Sequence, residues 1–392
     1  MNTFTRSQEI ELRESPDART GIAESLTIDI VVPSFRPTEG LIQSLRSIRR
    51  PPGVQLSITV VVDCPGADIS QLHRAANAME GILVLVNESN VGASESRNRG
   101  MGVGRGSHVL FLDDDVEPRE NLVVEYAAAI QSDKERHAGF VGVVKFPPPH
   151  NGFTRGLVQS GVLTFFGLAT RRANMPWGVT ANLCIRRDLL ATNRFSNLFP
   201  FGGGGEDIDL CLRVRERDGG RAFLAVPNAV ADHPWWGSGS RCYGRFVRWA
   251  YGDSRLAARH PQYRFINWPT MWETWLALWL LWSVVPTRVV CAGVIASLVS
   301  EFIVELGRAR RQRPRVALAD SAESVVIRLC IDLGRVLSSV SRLRPLGFLE
   351  HFDFFCTGEH VRSERQVAGV KTAIVIAVVI VAAVWPERDF SI

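Results

Sequence analysis

An α/β fold built on a mostly parallel central sheet is what this sequence predicts, and three observations predict it. Short apolar runs rich in Val and Ile alternate with helix-length segments up to about residue 230, the pattern of a nucleotide-binding type of sheet. Carboxylates follow directly on the ends of two of those runs, where open α/β sheets bind their ligands. No repeat and no low-complexity linker interrupts the alternation.

The first strand is Ile28-Asp29-Ile30-Val31-Val32, running into Pro33 and Ser34. A helix over 38–48, a β-branched strand over 57–63, a helix over 70–79 and a strand over 82–86 follow. The strand over 107–112 comes after a glycine-rich segment and ends at Asp113, Asp114 and Asp115. Like charges so close repel, so a divalent cation carrying an anionic ligand is their natural neutraliser. A solvated acidic turn before the helix that Pro118 begins is the plainer alternative.

Composition bounds the rest. At 392 residues the chain holds one large domain and an appendage, and 46% hydrophobic residues with a net charge of +5 exclude a disordered or acidic protein. Nearly all positive charge is arginine, and no nucleic-acid partner is expected. The seven cysteines are scattered and never spaced as metal-ligand pairs, which predicts reduced thiols in a cytosolic compartment. Residues 1–26 read as a flexible polar segment without a secretory signal.

Three further constellations fall on loops. Asp63 ends the second long strand, where a carboxylate can accept from a base or ribose or can simply cap a helix. Asn90-Val91-Gly92 opens a helix presenting Arg97 on its first turns, and helix N-termini with arginine suit a nucleotide diphosphate. The run Gly202-Gly203-Gly204-Gly205 precedes Glu206 and Asp207; it reads as a mobile loop able to close over a ligand, with the acids on the first turn of an amphipathic helix.

Taken in order, Val32-Pro33-Ser34-Phe35, Val61-Val62-Asp63, Asn90-Val91-Gly92 with Arg97-Asn98, Phe111-Leu112-Asp113-Asp114-Asp115 and Gly205-Glu206-Asp207-Ile208-Asp209-Leu210 resemble the family 2 glycosyltransferases of the GT-A fold, over about residues 27–235. The resemblance implies an inverting transfer from a nucleoside-diphosphate sugar, most often a UDP-sugar, with Mg2+ or Mn2+ as cofactor. By motif position it implies a donor site of Pro33, Ser34, Asp63, Gly92, Arg97, Asp113 and Asp114. It further implies a metal set of Asp113, Asp115 and His233, and Asp207 as the base with Glu206 beside it. Cys64-Pro65 departs from the residues usual after Asp63, which leaves nucleotide choice open. Of the Gln-x-x-Arg-Trp motif of processive members, Arg245-Phe246-Val247-Arg248-Trp249 keeps Arg248 and Trp249, so processive synthesis is not expected. Arg245, Arg248 and Trp249 are candidate acceptor residues.

From about Trp268 the character shifts. Segments 269–286, 289–306 and 372–385 are apolar enough to be membrane candidates, the first two as a hairpin turning at Arg288. Glu273, Glu301 and Glu305 argue for a buried bundle instead. Arg308, Arg310, Arg311, Arg313 and Arg315 follow, which by the positive-inside rule places the catalytic domain in the cytoplasm. An amphipathic helix over 323–343 either lies on anionic lipid or packs on the catalytic domain.

The resulting expectation is a flexible segment 1–26, a GT-A domain over 27–265 and a helical, membrane-associated region over 266–392. The chain would act at the cytoplasmic face of the cell membrane on a lipid-linked or envelope-glycan acceptor, with membrane lipids as partners. A transferase for a soluble small molecule or peptide, or an inactive sugar-nucleotide-binding scaffold, are the alternatives.

Overall fold

The computed structural model describes residues 26–312, 317–344 and 347–384. The expected flexible segment, save Leu26, lies outside the described residues, as do Arg313, Arg315 and residues 385–392.

The first half follows the alternation closely: β1 (Leu26–Ser34), α1 (Glu39–Ser47), β2 (Val54–Val62), α2 (Ser70–Asn77), β3 (Ile82–Val86), α3 (Gly92–Val103) and β4 (His108–Leu112). β1 pairs in parallel with β2 and β4, and β2 with β3. Ile30, Val31, Leu110 and Phe111 are completely buried. Helices therefore cover both faces of these strands, which is why they read as continuous apolar runs.

The second half departs from a mostly parallel sheet. It contains β5 (Glu117–Pro118), α4 (Leu122–Ser132), β6 (Gly139–Lys145), α5 (Gly152–Ser160), α6 (Thr164–Gly167), β7 (Asn174–Met175), β8 (Asn182–Arg186), α7 (Arg187–Leu190), α8 (Glu206–Arg217) and β9 (Phe223–Asp232). The sheet order is β3-β2-β1-β4-β8-β6-β9-β5, with β7 on β9. β8 runs antiparallel to both β4 and β6, so the sheet is mixed. The connection after β6 starts and ends at one edge of the sheet, so β8 can only re-enter in the opposite direction. Its first residue, Asn182, pairs with Leu112. Fully buried, Asn182 donates from Nδ2 to the carbonyls of Val143 and Ala229 at 3.1 and 2.8 Å and accepts from the Tyr126 hydroxyl at 2.8 Å. One rim thus collects the ends of β4, β6 and β9 and the start of β8.

The C-terminal part comprises α9 (Tyr243–Arg259), β10 (Arg264–Ile266), α10 (Met271–Leu281), α11 (Thr287–Gln312), α12 (Leu318–Ser341), β11 (Glu350–Phe352) and α13 (Glu359–Val384). It is not hung on a linker. β10 pairs with β11, Phe352 is part of the main core, and Trp177 Nε1 donates to the Phe354 carbonyl at 2.7 Å. A boundary at 265/266 therefore runs through a two-stranded sheet.

The amphipathic stretch over 323–343 packs on α5 and α9. Ile327 is fully buried with Phe153, Leu157, Trp235 and Phe246. Asp320 pairs with Arg155 at 2.9 Å, Glu323 accepts from Tyr243 at 2.5 Å, and Ser254 bonds Ser338 at 2.6 Å. Gly334 is where α12 meets α9 most closely, for a Cβ there would lie 2.1 Å from the Val247 carbonyl oxygen. Val340 and Leu343, on the other stripe, stay exposed.

Of the three apolar candidates, Thr287–Arg310 is the described segment long and apolar enough to cross a membrane, with mean hydropathy 2.1. α10 has 11 residues, about 16 Å at ~1.5 Å per residue, and ends before the turn that leads into α11. Leu278, Val285, Val290 and Val378 tie α10, α11 and α13 together. The glutamates that argued for a buried bundle are indeed partnered. Glu273 closes a capping box with Thr270, Glu301 meets Lys371 at 2.7 Å, and Glu305 accepts from Ser324 at 2.6 Å and pairs with Arg308 at 2.7 Å.

Gly334→Ala should destabilise the protein by about 1–3 kcal/mol, the usual cost of forcing atoms into a closed contact. Urea denaturation would read this as a lower midpoint at unchanged slope. Deleting residues 268–392 should leave insoluble chain, because α9, α5 and the main core lose their cover; recovery of a soluble, cooperatively unfolding fragment would contradict that packing.

Candidate functional site

The rim is organised around the three carboxylates after β4, each of which meets a different partner. Asp113 Oδ1 accepts from Arg97 Nη2 at 2.7 Å. Asp114 Oδ2 accepts from the Ser34 hydroxyl at 2.6 Å. Asp115 Oδ1 lies 3.4 Å from His233 Nε2. Burial pushes the Asp114 carboxyl up to about 6, with the Ser34 bond opposing and its two neighbours adding to the rise. Burial raises Asp115 also, against the pull of His233.

His233 is buried and its Nδ1 lies 2.6 Å from the Pro234 carbonyl oxygen. A carbonyl only accepts, so Nδ1 carries the hydrogen. Nε2 then faces the Asp115 carboxylate, a pairing that either a proton on Nε2 or a shared cation satisfies. The donor set suits a divalent ion that takes most of its ligands elsewhere. Among the described residues no group of three or more His, Cys, Asp or Glu is arranged to hold an ion unaided. Asp113 differs from its two neighbours in having an oxygen committed to Arg97.

Arg97 is 4% exposed and bridges the rim: beyond Asp113 its Nη1 lies 3.7 Å from Glu206 Oε1, and its guanidinium stands over the Phe195 ring at 5.6 Å. Nε and Nη1 have no hydrogen-bond partner. Asp63 turns inward, accepting from Asn87 Nδ2 at 2.7 Å and from the backbone N–H groups of Val91 and Gly92 at 2.9 and 2.7 Å. It thereby shapes the entry to α3, with limited acceptor capacity left for a nucleoside. Pro33 is buried in β1 opposite Val61. Gly92 has φ +87° and faces Phe201, whose ring would lie 3.1 Å from a Cβ there.

The glycine run is a contact surface as much as a hinge. Gly203, Gly204 and Gly205 all have positive φ. A Cβ on Gly252 of α9 would fall 1.8 Å from the Gly204 carbonyl oxygen, and one on Gly202 would touch Arg248 Nε at 2.9 Å. Close approach to α9 and left-handed backbone account for these glycines. Glu206 Oε2 accepts the Gly204 N–H at 2.6 Å, closing the turn into α8. Asp207 is partly exposed, in a crevice; burial first and the Glu206 charge second push its carboxyl up to about 7. The Asp113 charge acts in the same direction, and Arg97, bridging Asp113 and Glu206, sets the start of α8 beside the β4 carboxylates.

Arg245 and Trp249 stand on α9 at the far side of His233. The Arg245 guanidinium lies over the Trp236 ring at 4.6 Å and the Trp249 ring at 5.9 Å, and burial lowers its pKa. Phe146 packs on His233 at 4.9 Å between ring centroids and Trp236 does so at 5.2 Å. Sequence reasoning missed both aromatics. Trp236 had a signal, since it follows His233-Pro234-Trp235, whereas Phe146 is brought in only by the end of β6.

Removing Arg97 should strand two acids at once. Arg97→Met is expected to cost about 3–5 kcal/mol, as for other broken buried pairs, read by chemical denaturation, with a much smaller loss when Asp113→Asn is combined with it.

Residues 29–193 match the model of Glycosyl transferase family 2. No curated protein matches the chain. Among solved structures it is similar to GalNAc-T7 with UDP, GalNAc and Mn2+, at 16% identity and TM-score 0.45 over 61% of this chain and 51% of that one. It is similar to the mannosyltransferase PcManGT from Pyrobaculum calidifontis in complex with GDP-Man and Mn2+, at 14% identity and TM-score 0.44 over 92% and 88% of the two chains. S. aureus TarS 1–349 in complex with UDP-GlcNAc gives 14% identity and TM-score 0.44 over 89% and 92%. The mixed α/β domain is GT-A-like, and its residues 29–193 match glycosyl transferase family 2, which supports a glycosyltransferase.

Proposed function

We propose that this enzyme transfers a sugar from a nucleoside-diphosphate sugar, a UDP-sugar by the motif resemblance, to an acceptor hydroxyl with inversion. The observation that carries the reading is the Arg97 bridge from Asp113 to Glu206, which sets Asp207, at a pKa of about 7, beside the β4 carboxylates. A general base works best when its pKa lies near the operating pH. The acceptor oxygen forms its bond to the anomeric carbon, the carbon–oxygen bond to the diphosphate breaks with its electron pair leaving on phosphate, and Asp207 takes the acceptor proton.

Glu206 holds the turn and offsets Arg97, so that Asp207 keeps its orientation toward the acceptor. Asp115 and His233 are suited to hold Mg2+ or Mn2+, which when bound would neutralise charge on the departing diphosphate. Arg97 and Arg245, each with unpartnered nitrogen atoms, offer further positive charge to the donor. Ser34, Asp113, Asp114 and Gly92 line the donor side, with Asp63 and Pro33 shaping it from beneath. Arg245, Arg248 and Trp249 face the acceptor side, where arginine–aromatic stacking suits a glycan.

The same reading gives the chain a seat on the cytoplasmic face of the cell membrane and a lipid-linked or envelope-glycan acceptor. Support comes from exposed Trp279, Leu280, Ile295, Ile303, Ile376 and Ile380 on α10, α11 and α13, and from Val284 in the turn between α10 and α11. Apolar surface on that scale marks an interaction site. A soluble acceptor, with the apolar helices serving only to dock, is the second reading.

Incubating the protein with a panel of nucleotide sugars in Mn2+ and following nucleoside-diphosphate release tests the assignment. Asp207→Asn should cut turnover by about 10²–10⁴-fold, the usual worth of a general base, while leaving UDP binding intact. The base must be ionised to act, so the wild-type rate should rise with pH through about 7 and level off above it. Chelation should abolish transfer and Mn2+ should restore it. Sedimentation with anionic vesicles checks the membrane seat; protein that stays in the supernatant would favour the soluble acceptor.

A further inference from the structure

One face of α9 is devoted to the loop that presents Asp207. Arg248 and Trp249 abut Gly202 and Gly204, Gly252 touches the Gly204 carbonyl, and Leu256 packs on Gly205. These positions recur every three to four residues, which is one stripe of a helix. The stripe ends at Arg259 and His260, whose side chains reach Asp209 on the first turn of α8. Arg259 Nε lies 2.6 Å and His260 Nε2 2.9 Å from Asp209 Oδ1, and Arg213 Nε lies 2.9 Å from Oδ2. Asp209 is completely buried and His260 nearly so. Burial alone would raise the Asp209 carboxyl, but the His260 bond and the two guanidinium groups outweigh it and hold it low.

We propose that Asp209, Arg259 and His260 form a clamp that positions the catalytic base, fixing the start of α8 against α9 so that Asp207 meets the acceptor at one angle. The inference rests on Asp207 being the base, and goes beyond it in assigning roles to residues that touch neither substrate. Two fasteners hold the arrangement. At one end the Gly204–Gly252 contact sets the distance between loop and helix; at the other, a buried carboxylate with donors from both helices sets their register. A charged group in a closed site tolerates few geometries, because each lost donor leaves charge uncompensated. The opposite side of α9 is held by α12 through Ser254–Ser338 and by the Arg342 Nη2 bond to Ser254 Oγ at 2.6 Å. The base is therefore positioned through α9 from the C-terminal helices.

The test uses full-length protein in its membrane or detergent form, with the nucleotide sugar that turns over in the panel. Arg259 is partly exposed, so Arg259→Gln should fold. It and His260→Gln should lower kcat by about 10- to 100-fold, the scale of an ångström misplacement, with the Kd for UDP in Mn2+ close to wild type; the Tm falls in both, because each leaves the buried Asp209 short of a donor. Arg259→Lys should recover much of the rate. Gly252→Ala, which pushes the Gly204 carbonyl from the other end, should lower kcat in the same way. If UDP affinity falls along with kcat, or if Arg259→Lys restores the Tm without the rate, the cluster is structural and the clamp is overturned. Wild-type kcat in both Arg259→Gln and His260→Gln, with Asp207→Asn inactive, overturns the clamp alone. Turnover retained by Asp207→Asn instead overturns the base assignment and the clamp with it.

Discussion

Three neighbouring carboxylates at the end of one strand cannot share a single neutraliser, and the site is arranged around that constraint. Asp113 follows the last residue of β4 and Asp114 and Asp115 lie in the turn beyond it, so the three side chains reach three separate surroundings. Arg97 answers the first from α3, Ser34 the second from the end of β1, and His233 the third from beyond β9. Those partners come from elements that neighbour β4 only because β1 flanks it on one side and β8 and β6 bring β9 toward it on the other. The antiparallel entry of β8 is thus a functional feature. A further parallel strand in its place would need a crossover to the opposite edge, and the rim would lose the direct approach from β6 and β9.

The second dependency runs outward. Asp207 is steered by its loop, the loop by α9, and α9 by α12, whose buried Ile327 and close-set Gly334 seat it on α5 and α9. α12 in turn meets α11, with Ser324 donating to Glu305 and Arg328 lying 3.4 Å from Glu301. The C-terminal helices are part of the catalytic architecture for that reason. Loose attachment of an anchor would need no buried ion pairs, which are costly to desolvate unless each charge is matched.

Much of this was legible in the sequence. Buried parallel strands announce themselves as apolar runs, so β1 to β4 could be read directly, whereas the carboxylate triplet fitted a solvated acidic turn as well and took its proposed role from the motifs around it. The mixed sheet could not: strand direction depends on where a connection starts and ends, and nothing in Asn182-Leu183-Cys184-Ile185 encodes it locally. The glycine run was read as mobility, whereas a contact such as Gly204 against Gly252 involves residues far apart in sequence and leaves no local pattern. Asp209 looked like a spare acid beside Glu206 and Asp207. Its value lies in Arg259 and His260, about fifty positions away, which only packing reveals. The stretch over 323–343 showed a periodic apolar stripe, yet Val326, Val340 and Leu343 stay exposed while Ser324, Ile327, Gly334 and Ser338 are buried, because small side chains let helices approach closely and leave no apolar period to read.

The geometry of the apolar helices bears on how the proposed membrane seat would be built. Arg288 lies near the start of α11 and the Glu301–Lys371 pair crosses to α13, separated along α11 by about 20 Å at ~1.5 Å per residue. From Lys371 to Val384 α13 rises by a similar ~20 Å. The apolar belt between those polar levels is shorter than the ~30 Å of a bilayer's hydrocarbon core. Hydropathy alone passes Thr287–Arg310 as a crossing helix, yet its lower third is occupied by Glu301, Glu305 and Arg308, all tied to partners in α12 and α13. A belt of that height, tied beneath to α12, suits a bundle lowered into the membrane from the catalytic side. In such a seat the polar layer at Glu301 would mark where helix leaves hydrocarbon and the packed domain begins.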